Sequence, residues 1–243
     1  MQLASRVALV TGAGRRVGRA LAVALAGRGM RVAIHSHQST AGAGATLESV
    51  RQLGAEGACF SADLSDARAA RELPARVAAH FGQLDVLVNS AGIMTRASVE
   101  DTTPEMWDGI MNINLRSMFF TAQGALPALR AARGRIVNLA DVGGMEPWPN
   151  YAAHCISKAG VVMLTQTLAR ALAPDITVNA IAPGAVLPPD EWDDRARAHL
   201  VRTTPLQRLG SPEDVSAALL YLLEGGDYVT GQTLVVDGGR LVR

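Results

Sequence analysis

The sequence has little cysteine, almost no lysine and almost no net charge. Its 243 residues include two cysteines, Cys59 and Cys155, one lysine, Lys158, and a formal net charge of +1. The cysteines lie in apolar segments without the spacing of metal ligands or of a disulfide framework, which is typical of proteins from a reducing cytoplasm. Because no basic run is present, the charge pattern excludes an extended nucleic-acid-binding face. These absences predict a cytoplasmic protein that binds a small molecule and has no metal centre.

Long apolar runs and a targeting segment are also lacking. No stretch reaches membrane-spanning length, and no charged leader or small-residue cleavage site precedes the first strand-like run. The hydrophobic fraction of 49% across 243 residues suffices for one well-buried core. We therefore expect one domain over residues 1–243 and no association with a membrane.

Strand-like and helix-like segments alternate along the chain. Short runs such as Val7–Val10 and Val86–Val88 are continuously apolar, which is typical of strands buried on both faces. With helical crossovers between them, they predict an α/β fold, a Rossmann-like doubly wound parallel sheet of about seven strands flanked by helices. The predicted strands are 6–11, 31–35, 58–62, 85–89, 135–140, 177–182 and 233–236, and the predicted helices are 17–28, 40–53, 66–80, 107–133, 151–173 and 212–223. Ligands of such sheets bind at the carboxyl ends of the strands, where the glycines and polar residues of this chain collect.

The first of these carboxyl ends carries a glycine-rich turn. Gly12, Gly14 and Gly18 follow a strand and open a helix. Glycine lets the backbone turn sharply and approach a pyrophosphate that lies on the helix N-terminus. An ordinary turn between a strand and a helix also uses glycine, so this pattern alone leaves both a dinucleotide site and a structural turn open.

The end of the second strand indicates which dinucleotide is preferred. It reads His35-Ser36-His37, without the acidic residue that accepts hydrogen bonds from the ribose 2′-hydroxyl of NAD. Arg15 and Arg16 stand nearby and suit the 2′-phosphate of NADP. The alternative is that they are solvated charges, although a cation opposes the dipole at a helix N-terminus. We expect NADP(H) to be preferred over NAD(H).

Several motifs occur in the order and spacing of the short-chain dehydrogenase/reductase family, which the chain resembles over essentially its whole length. They are the turn at 11–18, Asp63, the turn at 89–92, Asn114, Lys158 and the pair Pro183-Gly184. The resemblance implies a homo-oligomer, a tetramer or a dimer, and a set of cofactor-binding residues. These are Gly12, Gly14, Arg15, Arg16, Val17, Gly18, His35, Ser36, His37, Asp63, Leu64, Asn89, Ala91, Gly92, Lys158, Pro183, Gly184 and Val186.

Other positions resemble the bacterial pteridine reductase-like branch of that family. Arg16 stands where most members have glycine, and the stretches 35–39 and 183–189 are similar to their counterparts in the branch. Asp141 lies thirteen residues before the expected catalytic tyrosine, where most of the family has serine and pteridine reductases have aspartate. Gln38 departs from the branch because it replaces an arginine. The resemblance implies that a planar imine such as a pterin is a substrate class beside a carbonyl.

The catalytic signature itself departs from the family. The family has a tyrosine four residues before the lysine, and this chain has His154 four residues before Lys158. Side chains four residues apart share one face of a helix, so the imidazole and the ammonium are expected to face the same cleft. The nearby ammonium favours a neutral ring, whereas the carboxylate of Asp141, if close, favours a charged one. The resemblance gives a predicted catalytic set of Asn114, Asp141, His154 and Lys158, in which Asn114 holds a water of the proton relay.

Three interpretations of His154 stay open. In the first it donates the proton, oriented or charged by Asp141, while Lys158 holds the nicotinamide ribose. In the second Tyr151, two helical turns before Lys158, donates instead. In the third the protein binds NADP(H) with lost or altered catalysis. The predicted function is an NADP-dependent oxidoreductase that reduces a carbonyl or a planar imine, and the alternative is a cofactor-binding homologue.

Aromatic residues and a polar segment flank the expected cleft. The candidate substrate-binding residues are Arg16, Trp148, Tyr151 and Trp192. Trp148 and Trp192 are able to stack on a planar substrate, although aromatic residues in such segments also serve as packing anchors. Residues 188–201 are rich in acidic side chains and are predicted to form a substrate lid whose closure excludes water.

Overall fold

The computed structural model describes residues 1–187 and 193–242, which contain one sheet of seven parallel strands. The strands are β1 (Val7–Val10), β2 (Arg31–Ser36), β3 (Gly57–Ser61), β4 (Val86–Asn89), β5 (Arg135–Leu139), β6 (Thr177–Pro183) and β7 (Thr233–Val236). Their order is β3-β2-β1-β4-β5-β6-β7, so the direction of winding reverses between β1 and β4. Such a reversal opens a crevice at the carboxyl ends of the strands, where ligands bind. The predicted fold class is confirmed.

Helices cover both faces of this sheet. They are α1 (Arg16–Ala26), α2 (Thr40–Gln52), α3 (Ala67–Phe81), α4 (Pro104–Met111), α5 (Ser117–Ala132), α6 (Ala152–Leu172), α7 (Asp194–Thr203) and α8 (Pro212–Glu224). On one face, Val10 and Val88 pack with α1, α2 and α8, and on the other, Leu9 and Leu87 pack with α3, α5 and α6. The strands at the reversal are thus apolar on both sides, as the continuous runs predict. No helix among the described residues is long and apolar enough to cross a membrane.

The structure corrects the prediction of one regular helix across 107–133. Helix α4 begins earlier, at Pro104, and a π-helical turn at Asn112–Arg116 separates it from α5. The extra residue of a π turn changes which side chain faces the core, and such turns are frequent at functional sites. Here the turn carries the buried Asn114.

The predicted lid falls partly outside the described residues, because 188–192 are not among them. The remainder is helical: Asp193 caps α7 by accepting a hydrogen bond from the backbone of Ala196 at 2.7 Å. An aspartate at this position satisfies a backbone N–H that the helix itself leaves free. Trp192, a predicted substrate contact, lies outside the described residues.

Candidate active site

The glycine-rich turn packs tightly against the loop that follows β4. Gly12 has φ +66°, and a Cβ added there would lie 2.8 Å from Cα of Ala91. A Cβ on Gly18 would lie 2.4 Å from the carbonyl oxygen of Gly12. The hydroxyl of Thr11 accepts hydrogen bonds from the backbone N–H groups of Ser90 and Ala91 at 2.9 and 3.0 Å. Only glycine fits these positions, and the two loops form one rigid edge.

His35 lies behind this turn and not in front of it. Its Nδ1 accepts a hydrogen bond from the backbone of Gly12 at 3.2 Å, and its Nε2 lies 3.1 Å from the carbonyl oxygen of Ala62. This pattern assigns the proton to Nε2, and burial lowers the pKa of the ring. Since both nitrogens are engaged within the protein, His35 acts on the predicted cofactor site through the position of Gly12.

The ends of β2 and β3 lie side by side and bring His37 close to the carboxylate of Asp63. Nε2 of His37 lies 4.0 Å from Oδ2 of Asp63. Hydrogen bonds from the hydroxyl and backbone N–H of Ser65 lower the pKa of Asp63. Ser36 is buried, and Leu64 is packed into the core under α3. The carboxylate of Asp63, a predicted cofactor-binding residue, thus stands beside His37 at the end of β2.

The two arginines of the first turn differ in their surroundings. Arg15 precedes α1 in an extended conformation and is exposed. Arg16 has φ +52°, a left-handed conformation that favours glycine, and its guanidinium donates a hydrogen bond to the carbonyl oxygen of Leu187. Val17 packs against the core, and a Cβ on Gly14 would lie 3.1 Å from the carbonyl oxygen of Ser39. Arg15 is therefore the more available of the two cations.

The loop after β6 is fixed at its base by β7. The N–H of Gly184 donates to the carbonyl oxygen of Val236 at 2.9 Å, and a Cβ on Gly184 would lie 2.7 Å from Cβ of Asp237. Val186 pairs with Gly210 in an isolated bridge. Pro183 ends β6 and is buried. The predicted positions Pro183, Gly184 and Val186 thus lie together at the carboxyl edge of the sheet.

Asn114 connects the loop after β4 to α6. Its Oδ1 accepts from the N–H of Ile93 at 2.8 Å, and its Nδ2 donates to the carbonyl oxygen of Ile93 at 2.9 Å and to Oγ of Ser157 at 3.1 Å. The hydroxyl of Ser157 in turn donates to the carbonyl oxygen of His154 at 2.7 Å. This buried chain fixes α6 against the π turn. Ser157 is absent from the predicted set because a serine in an apolar helix carries no distinguishing pattern.

A second buried link lies beneath this loop. Asn89 at the end of β4 donates from its Nδ2 to Oδ1 of Asn138 at 2.9 Å, and Asn138 donates to the hydroxyl of Thr165 at 3.0 Å. Buried polar side chains with such partners fix the relative position of the elements that carry them. The link joins β4, β5 and α6 directly below the predicted catalytic residues.

Lys158 points its ammonium into the crevice from α6. The Nζ atom donates to the carbonyl oxygen of Leu139 at 2.6 Å, and burial lowers the pKa of Lys158 to about 8, with the charge of Asp141 acting in the opposite direction. A Cβ on Gly92 would lie 3.7 Å from Nζ and 3.4 Å from Oδ1 of Asn114. The absence of a side chain at Gly92 leaves room in front of the ammonium.

His154 and Asp141 are brought together, although not into a hydrogen bond. Nε2 of His154 lies 3.9 Å from Oδ1 of Asp141, and the same oxygen accepts the N–H of Gly143 at 2.7 Å. His154 is 5% exposed, and within the described residues neither ring nitrogen has a hydrogen-bond partner. A separation of 3.9 Å permits charge interaction but exceeds hydrogen-bond length.

Two aromatic side chains extend this cluster. The indole of Trp148 lies parallel to the imidazole of His154, with ring centroids 6.0 Å apart and an interplanar angle of 7°. The ring of Tyr151 meets the same indole edge-on, at 6.0 Å and 78°. Tyr151 is the residue before α6, and its side chain packs on Trp148. Of the predicted substrate contacts, Trp148 and Tyr151 therefore lie together at His154, whereas Arg16 is turned toward Leu187.

The residues present fit a nicotinamide dinucleotide. Side chains at Gly12 and Gly18 would fill the turn at the start of α1, and Gly92 leaves the ammonium of Lys158 reachable. The N-terminus of α1 favours a pyrophosphate, and a buried ammonium favours ribose hydroxyls. A doubly wound sheet with this crevice defines the class of dinucleotide-binding oxidoreductases.

Comparison with known proteins identifies the family. A family model described as enoyl-(acyl carrier protein) reductase matches residues 12–240. The 3-oxoacyl-[acyl-carrier-protein] reductase FabG of Staphylococcus aureus is 36% identical over 240 residues, which cover 97% of this chain and 98% of that protein. The 3-oxoacyl-[acyl-carrier-protein] reductase of Synechocystis sp. is 35% identical over 244 residues, with 99% and 98% covered.

Solved structures agree with this assignment. The short-chain dehydrogenase/reductase of Serratia marcescens has a TM-score of 0.92 and 32% identity, with 99% of both chains covered. The acetoin dehydrogenase YohF of Salmonella typhimurium has a TM-score of 0.90 and 32% identity, with 98% of this chain and 96% of that chain covered. The chain belongs to the short-chain dehydrogenase/reductase family and is an NAD(P)-dependent oxidoreductase of that family.

Proposed function

We propose that the protein reduces a carbonyl group with NADP(H) and that His154 donates the proton. The observation that carries this proposal is the position of His154, one turn before the buried ammonium of Lys158 and 3.9 Å from the carboxylate of Asp141. When bound, the reduced nicotinamide supplies a hydride to the carbonyl carbon. The proton that completes the alcohol then passes from Nε2 of His154 to the carbonyl oxygen, and the neutral ring takes up another from water.

Each neighbour of His154 has a distinct role in this proposal. Asp141, held by the N–H of Gly143, places a carboxylate 3.9 Å from Nε2 of the imidazole. Lys158 holds the ribose of the cofactor with its buried ammonium. Asn114 fixes α6 through Ser157, and this hydrogen-bond chain holds the backbone of His154 in position. The proposed catalytic set remains Asn114, Asp141, His154 and Lys158.

A 3-oxoacyl thioester is the substrate class that we favour. The curated relatives described above are named 3-oxoacyl-[acyl-carrier-protein] reductases and cover nearly the whole chain. A planar imine of the pteridine type is the second candidate, supported by Asp141 and by the aromatic pair of Trp148 and Tyr151 beside the proposed proton donor. A flat heterocycle stacks on such rings, whereas a thioester chain has no planar face of that size.

We also propose that NADP(H) is preferred over NAD(H). The exposed guanidinium of Arg15 stands at the start of α1, and the half-exposed ring of His37 stands after β2. Both are suited to a 2′-phosphate. The carboxylate of Asp63 beside His37 opposes this preference, so Arg15 has the larger expected share.

The test is NADPH oxidation by the purified protein against a 3-oxoacyl thioester, a simple ketone, a quinone and a dihydropteridine. NADPH binding is measured in a separate experiment, by the change in NADPH fluorescence. We expect turnover with the thioester above that with the ketone, and turnover with the dihydropteridine only if the imine class applies. Tight NADPH binding with no oxidation by any of them would favour a cofactor-binding protein with lost or altered catalysis.

The variant His154→Tyr distinguishes an active reductase from a cofactor-binding protein with lost or altered catalysis. If His154 is the working donor, a phenol at its position disturbs a site fitted to imidazole, and the rate falls. If catalysis was lost with the family tyrosine, restoring it gives a large gain in carbonyl reduction. Tyr151→Phe is the companion variant, because a loss of rate there with unchanged stability would assign the proton to Tyr151.

A homo-oligomer, a tetramer or a dimer, and a cytoplasmic location complete the proposal. Support for the oligomer comes from apolar side chains that the single chain leaves exposed on α5 and α6, namely Phe119, Ile156 and Met163. Exposed apolar groups on neighbouring helices are typical of subunit interfaces. Light scattering coupled to size-exclusion chromatography measures the mass directly, and a monomeric mass at micromolar concentration would contradict the oligomer.

A further inference from the structure

The proposed proton donor is closed off from its surroundings. Both ring nitrogens of His154 are buried, and among residues 1–187 and 193–242 neither has a hydrogen-bond partner. The indole Nε1 of Trp148 is likewise buried and unpartnered among those residues. Buried donors and acceptors without partners destabilise the arrangement that buries them. A proton donor must also contact the atom that it protonates.

The aromatic side chain beside His154 is that of Trp148. The half-buried indole lies parallel to the imidazole, with ring centroids 6.0 Å apart, on the segment between β5 and α6. Gly143 makes room for it, since a Cβ there would lie 3.0 Å from the indole. Tyr151 supports the indole from another side. The indole itself makes no hydrogen bond among the described residues, and a planar or apolar substrate is able to replace its aromatic packing.

We infer that Trp148 is a specificity-determining cover over His154, which a substrate must displace before its oxygen or nitrogen reaches the imidazole. The inference rests on the proposed role of His154 as proton donor. A substrate that displaces the indole gives Nε2 of His154 the hydrogen-bond partner that it lacks, and it frees the indole N–H to meet water. Substrates with a narrow or flat reacting end are admitted, and branched ketones are excluded by the indole.

Carbethoxylation of histidine by diethyl pyrocarbonate tests the cover without requiring turnover. The reagent reacts with accessible imidazole nitrogens, and mass spectrometry assigns the rate at each histidine. The chain provides two internal references. The side chain of His37 is 49% exposed, and His35 is buried with both nitrogens hydrogen-bonded. In the unaltered protein we expect His154 to react as slowly as His35 and far more slowly than His37.

Two variants remove the cover and one serves as a control. Trp148→Ala and Trp148→Leu are expected to raise the rate at His154 by about tenfold or more, because loss of a packed side chain lowers the cost of local opening. Trp107→Ala removes a half-buried indole from α4 and is expected to leave the rate at His154 unchanged. Continued protection of His35 shows that a variant is folded. If Trp148→Ala fails that criterion, Trp148→Leu decides.

A rate at His154 equal to that at His37 in the unaltered protein would overturn the inference. So would a rate that stays slow in a folded Trp148 variant. These outcomes are independent of catalysis, because a protein that oxidises no NADPH still reports whether Trp148 shields His154. Where turnover is found, the folded variant is expected to raise kcat/KM for a branched ketone relative to an unbranched one. An unchanged ratio would contradict the role in specificity.

Discussion

Oδ1 of Asp141 lies 3.9 Å from Nε2 of His154 while it accepts the backbone N–H of Gly143 at 2.7 Å. The hydrogen bond fixes the carboxylate at the start of a short 3-10 turn, so its charge is held beside the imidazole. The same carboxylate acts on the ammonium of Lys158, where its charge opposes the effect of burial on the pKa, so the site balances two opposite charges.

Replacement of this carboxylate by an amide tests that balance. Asp141→Asn keeps an oxygen that accepts the N–H of Gly143 but removes the negative charge. We expect kcat at neutral pH to fall by about tenfold or more, because the negative charge that faces the proposed proton donor at 3.9 Å is lost. The measurement is kcat between pH 6 and 8, with the dissociation constant of NADPH as the control. A kcat equal to that of the unaltered protein across this range would contradict the role of Asp141.

The stability of the cofactor-free protein should rise with pH because of Lys158. Burial lowers its pKa from 10.5 to about 8, so between these values the unfolded chain binds more protons than the folded one. The free energy of unfolding therefore increases as pH rises through this window, by roughly 3 kcal/mol in all. Lys158→Met should remove that increase. Urea unfolding at pH 7.5 and 10.5 measures it, and the same increase in both proteins would contradict the burial of the charge.

The cofactor preference should depend on Arg15. We expect Arg15→Glu to weaken NADPH binding by about tenfold to a hundredfold, because a charge-assisted hydrogen bond to phosphate is lost and a repulsion is added. NADH binding should change little, and the helix itself should tolerate an acidic residue at its start. Arg19→Glu is the matched control, because Arg19 is on the same helix and bonds Ser49. An equal loss of affinity for NADPH and for NADH would contradict the proposed contact of Arg15 with the 2′-phosphate.

The space in front of the ammonium should be necessary for cofactor binding. A Cβ on Gly92 would meet Oδ1 of Asn114 at 3.4 Å and Nζ of Lys158 at 3.7 Å, which are ordinary contacts. Gly92→Ala should therefore fold with an unchanged melting temperature and bind NADPH about tenfold more weakly. Gly44→Ala is the control, because a Cβ on Gly44 in α2 has nothing within 4 Å. Unchanged NADPH affinity in Gly92→Ala would place the cofactor elsewhere.

Local sequence patterns were sufficient for the sheet and for most helices. Continuous apolar runs predicted β1 and β4, and β7 spans the predicted 233–236. The interruption between α4 and α5 could not be predicted, because the side-chain bonds of Asn114 to Ile93 join segments far apart in the chain. No helix was predicted at Asp194–Thr203, where the structure has α7, because this short polar sequence lacks an apolar helical pattern, and the lid over 188–201 stays a prediction.

The sequence was sufficient to predict which residues form the site, but not the distances and contacts between their side chains. Spacing along α6 predicted that His154 and Lys158 share a face, whereas the distance from Asp141 depends on a loop fixed by Gly143. The parallel placement of Trp148 beside His154 arises from packing between that loop and α6. Ser157 shows the same limit, because it acts through Asn114, a partner that only the folded chain brings near.

Single-turnover oxidation of bound NADPH shows whether His154 donates the proton. The rate with the best substrate of the panel is compared between the unaltered protein and His154→Gln, which removes the proton donor but keeps a polar side chain. With His154 as the donor, we expect the rate to fall by about a hundredfold or more, as is typical for loss of a general acid, while the dissociation constant of NADPH stays the same. An unchanged rate in His154→Gln would contradict the role of His154 as proton donor.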